Sequence, residues 1–177
     1  METKNLWAPW RIEYMKKLGQ TDATDDESSD CFLCAAAACE PASEEARRRH
    51  VLLRDERGVL MLNRYPYTNG HLLVAGHEHL SDLGAMTATQ RSGLMELALL
   101  GQQLLDAAVN PQGFNIGINL GRCAGAGVPG HVHVHVVPRW NGDTNFLTVF
   151  GSVRVIPQAL EQSYEWLAKT LEKIGTK

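Results

Sequence analysis

From Gly58 onward, short apolar runs alternate with turns. Val59-Leu60-Met61-Leu62 is one such run, and after Tyr65-Pro66-Tyr67-Thr68-Asn69-Gly70 comes His71-Leu72-Leu73-Val74-Ala75. Two strands joined by a turn fit this spacing. Thr87 and Gln90 have capping-box spacing, and Leu94, Leu97, Ala98, Leu104, Leu105 and Ala108 follow at helical intervals. A long amphipathic helix is predicted, ending near Asn110-Pro111. Phe114 to Leu120 alternates apolar residues with Asn115, Gly117 and Asn119, a third strand. Gly121 to Gly130 is a glycine-rich loop, and His131 to Val137 forms a fourth strand ended by Pro138. Gln158 to Ile174 reads as a closing helix. Strands, then a helix, then strands, with no repeating crossover, predict an α+β fold with a mainly antiparallel sheet.

The first part of the chain is patterned differently. Residues 1 to 19 mix aromatic and basic groups; Arg11 to Leu18 can form a short helix stopped by Gly19, and Trp7 and Trp10 are expected to dock onto something. Residues 20 to 30 carry five acidic groups and no large apolar side chain, the composition of a mobile linker. Pro41 to Arg49 has helix formers with few apolar anchors and reads as a short exposed helix or a loop. The expected organisation is an N-terminal extension over residues 1–30, a domain over 31–150 and a C-terminal helical segment over 151–177.

Composition bounds the function. A chain of 177 residues, 44% hydrophobic and 21% charged, suffices for one compact domain. Its net charge of −3 supplies no global basic field for duplex nucleic acid, though a local site for one phosphate chain is compatible with it. No apolar run reaches the roughly 18 residues that would suggest a membrane span. The N-terminus lacks the basic-then-apolar pattern of a secretory leader. A cytoplasmic protein is expected, and its four cysteines are then thiols or metal ligands rather than disulfides. Cys31-Phe32-Leu33-Cys34 has the two-residue gap of a zinc knuckle.

Three of seven histidines fall at alternate positions in His131-Val132-His133-Val134-His135. On a strand these imidazoles share one face, and Val132, Val134 and Val136 take the other, the core face. An ordinary polar sheet face also alternates, but here the row directly follows the glycine-rich loop. Two neighbours could share a metal ion, but one ion would hardly reach all three, because His131 and His135 start roughly 13 Å apart at about 3.3 Å per residue. Histidines working in series along an extended anion fit better, the central one attacking phosphorus while its neighbours bind, orient and protonate. Neutral imidazole is a good nucleophile toward phosphoryl centres and leaves again readily, dividing one hard displacement into two easier ones. The loop before the row contains Arg122 and four glycines whose backbone N–H groups can approach an anion closely. Together these features predict a phosphate site.

His131-Val132-His133-Val134-His135-Val136-Val137 matches the His-φ-His-φ-His-φ-φ signature, φ being apolar, and the chain resembles the histidine triad (HIT) superfamily over roughly residues 58 to 140. Asn63-Arg64-Tyr65-Pro66, Gly70-His71, Asn119 and Pro138-Arg139 extend the resemblance. Leu6 to Arg11 and Pro138 to Phe146 are similar to the diadenosine tetraphosphate phosphorylase-like branch, near the Fhit branch. The resemblance implies cleavage of dinucleoside polyphosphates through a nucleotidyl-histidine intermediate resolved by phosphate or water. Carried onto this chain, it makes His133 the nucleophile and gives His135 phosphate binding and protonation of the leaving group. His71 would lie near the phosphate chain and Asn63 near the ribose; for both, turn chemistry is the alternative. Asn119 would hold the α-phosphate or the nucleophile's other ring nitrogen, with Gly125 and Gly127 in the phosphate loop. Many relatives carry Gln and then Ser or Thr just before the triad; this chain has Gly127-Val128, and the bare backbone would leave room for inorganic phosphate.

Zinc-binding members of the superfamily resemble this chain at Cys31, Cys34, His79 and His131, a Cys₂His₂ set expected to hold a structural zinc. His77 and Cys39 are the alternative ligands, and ordinary buried cysteines the alternative to any site. No organic cofactor is expected. The resemblance also implies a homodimer joined through the long helix. Rival activities are hydrolysis of nucleoside monophosphate conjugates, including phosphoramidates, and nucleotide binding with little turnover. Uridylyltransferase-like chemistry fits less well, because that branch has Gln where His135 stands.

Overall fold

The computed structural model describes residues 31–143 and 158–175. The predicted helix at Arg11 to Leu18, the docking of Trp7 and Trp10 and the acidic linker lie outside the described residues. Chain order is α1 (Phe32–Ala38), α2 (Glu44–Arg48), β1 (Val51–Asp55), β2 (Gly58–Leu62), β3 (Leu72–Ala75), α3 (Ala88–Val109), β4 (Gly113–Ile118), a 3₁₀ turn (Arg122–Ala124), β5 (His133–Arg139) and α4 (Leu160–Gly175). The strands form one sheet in the order β1-β2-β3-β5-β4, and every pairing is antiparallel. The α+β expectation holds.

Strand alternation gives the sheet two covered faces. Leu60, Leu62, Leu72, Val74, Val132, Val134 and Val136 point to one side, where they form the main core with Leu94, Leu97, Leu104 and Leu105 of α3 and Leu167 of α4. The triad valines are therefore the core face, as their alternation requires. Val59, Met61, Leu73 and Ala75 point to the other side and pack with Cys31, Leu33, Ala36 and Ala37 at and in α1. The helix α3 starts as predicted, with the capping box between Thr87 and Gln90 formed, and stops at Asn110 in the left-handed conformation.

Two expectations need correction, and one element, the helix α1 within Cys31 to Cys39, had no expectation attached. The sheet has a fifth strand, β1, which borders β2 and was not anticipated. Pro138 does not end the last strand but pairs with Phe114 inside it. Pairing of β3 with β5 stops at Leu72 opposite Val136. Beyond that point β5 has a neighbour on one side only, the edge-like setting in which a residue without an N–H is tolerated. Between Pro41 and Arg49, α2 is the short helix of the two options, capped by the Ser43 side chain accepting from the Ala46 N–H.

Candidate active site

The face opposite the valines carries the histidines. His71, His131, His133 and His135 are between 0% and 9% exposed, so the imidazoles form a buried cluster rather than a wet sheet face. Register brings His71 and His135 together. Leu73 pairs with His135 and Leu72 with Val136, so His71, just before β3, is a diagonal neighbour of His135 on the same face. The His71 Nε2 to His135 Nδ1 distance is 2.9 Å.

The tautomers follow from the backbone partners. His133 Nδ1 lies 2.8 Å from the carbonyl oxygen of His131, which can only accept, so Nδ1 carries the proton and the lone pair is at Nε2. The partner of His133 Nδ1 is thus a backbone carbonyl and not Asn119. Asn119 Nδ2 instead donates to the Gly125 carbonyl at 3.4 Å, bracing the glycine loop. At His71, the Tyr67 backbone N–H donates to Nδ1 at 3.1 Å, so the proton must sit on Nε2, which donates to His135 Nδ1. His135 is left with its own proton on Nε2, a buried nitrogen without a hydrogen-bond partner among the described residues. A buried orphan donor is costly unless a ligand completes it.

Electrostatics keep the pair neutral. Burial lowers the pKa of His133, against the opposing effect of its hydrogen bond to the His131 carbonyl. Burial, reinforced by His133, lowers His135 to about 4. Near neutral pH, His133 and His135 are thus both uncharged imidazoles.

Space beside the donor comes from the neighbouring strand. Gly117 pairs with His135, and a Cβ built on Gly117 would meet nothing within 4 Å. Sequence reading missed Gly117, although a glycine inside a strand often marks close approach by a ligand. It also missed Tyr67, whose ring stands 4.6 Å from His71 and stacks on His135 at 5.7 Å. Gly125 adopts φ +87°, a conformation that favours glycine, and a Cβ on Gly127 would meet nothing within 4 Å. Asn63 is engaged inside the turn: its Oδ1 accepts from the Tyr65 N–H at 3.0 Å, and its Nδ2 lies 3.2 Å from His71 Nδ1.

The first triad histidine belongs to a different constellation. One ligand atom from each of Cys31, Cys34, His79 and His131 fits within a mutual distance of 4.8 Å, a group that could hold a metal ion. The S···N distances are 3.4 Å for Cys31 to His131, 3.4 Å for Cys34 to His131 and 3.3 Å for Cys34 to His79. A tetrahedral zinc, with Zn–S about 2.3 Å and Zn–N about 2.0 Å, sets such edges at about 3.5 Å. His131 Nε2 lies 3.2 Å from the Gly76 carbonyl, the outer contact that holds a ligating imidazole in orientation. The donor set therefore suits zinc. The alternative ligands lie elsewhere: Cys39 Sγ contacts the Ala35 carbonyl, and His77 Nε2 donates to the Asp55 carbonyl.

A groove of about 1120 Å³ opens between α2, β1 and α4, lined by residues such as Leu52, Leu100 and Tyr164. It holds none of the histidines, and its Arg47 and Glu165 pair with each other. Reactive groups, not volume, locate the site.

Comparison with known proteins agrees with this geometry. The HIT domain family matches residues 44–142. The chain is 35% identical over 94% of its length to a Mycobacterium tuberculosis protein named AP-4-A phosphorylase, of which it covers 84%. It is 32% identical over 52% of its length to the Schizosaccharomyces pombe asymmetrical bis(5'-nucleosyl)-tetraphosphatase, covering 50% of that protein. The structure of a Zn-bound histidine triad family protein from Mycobacterium smegmatis superposes with a TM-score of 0.62 at 30% identity, covering 85% of this chain and 99% of that one. With the signature, the fold and these matches in agreement, the chain belongs to the HIT family.

Proposed function

We propose that this protein is an enzyme that cleaves dinucleoside polyphosphates of the diadenosine tetraphosphate type through a nucleotidyl-His133 intermediate. The observation that carries the reading is the tautomer of His133: with Nδ1–H held by the His131 carbonyl, its Nε2 lone pair is available in a buried, neutral cluster beside a His135 N–H that has no partner among the described residues. Nε2 forms a bond to the α-phosphorus while the P–O bond to the rest of the polyphosphate breaks. The departing oxygen keeps the electron pair and accepts a hydrogen bond from His135 Nε2–H. The Nδ1–H contact to the carbonyl stabilises the positive charge that develops on the ring. In the second half, an oxygen of phosphate or water attacks phosphorus, and the N–P electron pair returns to His133; with water, one proton passes to solvent. The names of the two relatives support the substrate class, and the similarity to the phosphorylase supports phosphate as acceptor. Backbone groups at Gly125 and Gly127 then bound the phosphate site, with Asn119 bracing them.

Cys31, Cys34, His79 and His131 hold a structural zinc, which has no open position for chemistry and ties α1 to the sheet. The enzyme works as a homodimer. The edge strand β4 exposes Ile116 and α3 exposes Met95 and Leu99, apolar groups suited to a second copy. The test of function is product identification: diadenosine tetraphosphate with phosphate should give ATP and ADP, and with water ATP and AMP. Unchanged substrate despite measurable binding would instead indicate a nucleotide-binding module.

A further inference from the structure

The turn between β2 and β3 is tied to the reactive pair more closely than a connection requires. Its base is closed by the Asn63 N–H donating to the His71 carbonyl at 2.9 Å. Inside it, the Asn63 carboxamide is oriented without ambiguity. The Tyr65 N–H must donate to an oxygen, which identifies the atom at 3.0 Å as Oδ1 and leaves Nδ2 facing His71 Nδ1 at 3.2 Å. The Tyr67 N–H reaches the same nitrogen at 3.1 Å. Two donors thus converge on one imidazole nitrogen that can accept only when unprotonated.

We propose that Asn63 is a positioning residue: with the Tyr67 backbone it holds His71 as the Nε2–H tautomer, and His71 in turn holds His135 with Nε2–H free for the phosphate chain. This extends the reading of His133 and His135 as the reactive groups and rests on it. The chain of donors runs in one direction, from Asn63 and Tyr67 to His71, from His71 Nε2 to His135 Nδ1, and from His135 Nε2 to the ligand. Reversing the first link reverses the rest. With a proton on His71 Nδ1 and none on Nε2, His135 would donate back to His71 and present a lone pair to an anion, a repulsive contact. These contacts use one of the two Nδ2 hydrogens and one of the two Oδ1 lone pairs of Asn63, and the hydrogen aimed at His71 is the one the chain of donors needs. Tyr67 adds a second constraint, since its ring lies against both imidazoles.

The tautomers are measurable without turnover. ¹⁵N-histidine NMR of the ligand-free full-length protein near neutral pH should show Nε2–H and an unprotonated Nδ1 on both His71 and His135; a proton on Nδ1 of either ring overturns the proposal. Asn63→Asp keeps the acceptor for Tyr65 but turns an acceptor toward His71, and should place a proton on His71 Nδ1. An unchanged His71 spectrum counts against it. Asn63→Leu, which keeps the branching without the polar atoms, should lower kcat by about tenfold or more while KM moves less than about twofold. A raised KM with unchanged kcat would make Asn63 a ribose ligand and reject the positioning role. If the unmodified protein leaves diadenosine tetraphosphate intact, the proposed function fails while the spectra still decide the tautomers.

Discussion

His135 is neutral in the fold because burial, and then the nearby His133, lowers its pKa to about 4 from an ordinary 6.5. The consequence for stability has a definite sign. Above pH 6.5 the ring is neutral in both folded and unfolded chains, so its contribution is fully present. As pH falls below 6.5 the unfolded chain takes up a proton that the folded chain refuses, and stability is lost until about pH 4, where the folded ring also protonates. Urea unfolding followed from pH 7 to pH 4 should show a falling midpoint, and His135→Asn should flatten that fall. Parallel curves for the two proteins would contradict the buried neutral ring. In catalysis, removing the His135 N–H should lower kcat by about 10²–10³, the usual effect of losing one donor to developing charge. At this scale the alternation of the triad made the two faces legible. The tautomers were not, because they depend on contacts of His71 and His133 with backbone groups whose position only the fold defines.

At the scale of elements, α1 packs on the sheet through Leu33, Ala36 and Ala37 and brings Cys31 and Cys34 beside His79 and His131. Chelation of zinc, or Cys34→Ser, should lower Tm and leave well under one zinc per chain in metal analysis. Full zinc content in Cys34→Ser would remove Cys34 from the ligand set. The tight β1–β2 turn makes a second demand. Gly58 has φ +143°, and a Cβ there would stand 2.2 Å from the Ala75 carbonyl oxygen. Gly58→Ala should therefore destabilise by about 1–3 kcal/mol in urea unfolding, whereas an unchanged midpoint would deny the close approach. The elements with strong local signals were legible: the apolar runs of β2 and β3, and the capping box of α3. The strand β1 was hidden because only Val51 is fully buried and the apolar run gives way to Arg54-Asp55-Glu56-Arg57. The helix α1 was hidden because its seven residues are too few for a periodicity, and no side chain caps its start.

Across the whole molecule, the sheet separates two tasks. The valine face and the two longer helices form the main core, while the opposite face carries the group that could hold a metal ion at one end of the histidine row and the pair proposed to react at the other. His131 joins them, with its ring among the cysteines and its carbonyl on His133. Strand order was not legible, because β5 lies between β3 and β4 through contacts distant in sequence. The likeness of the triad to a known signature supplied what local pattern could not. Light scattering should show a dimer, and Ile116→Asp should shift it toward monomer; a wild-type monomer would reject that interface.

The covalent role of His133 is the central claim, and product analysis tests it most directly. Diadenosine tetraphosphate is incubated with the protein and with His133→Asn, each with and without inorganic phosphate. The wild-type protein should release ATP with ADP when phosphate is present and ATP with AMP when it is absent, and His133→Asn should release neither. Full turnover by His133→Asn, or a wild-type protein that binds the substrate and leaves it intact, would contradict it.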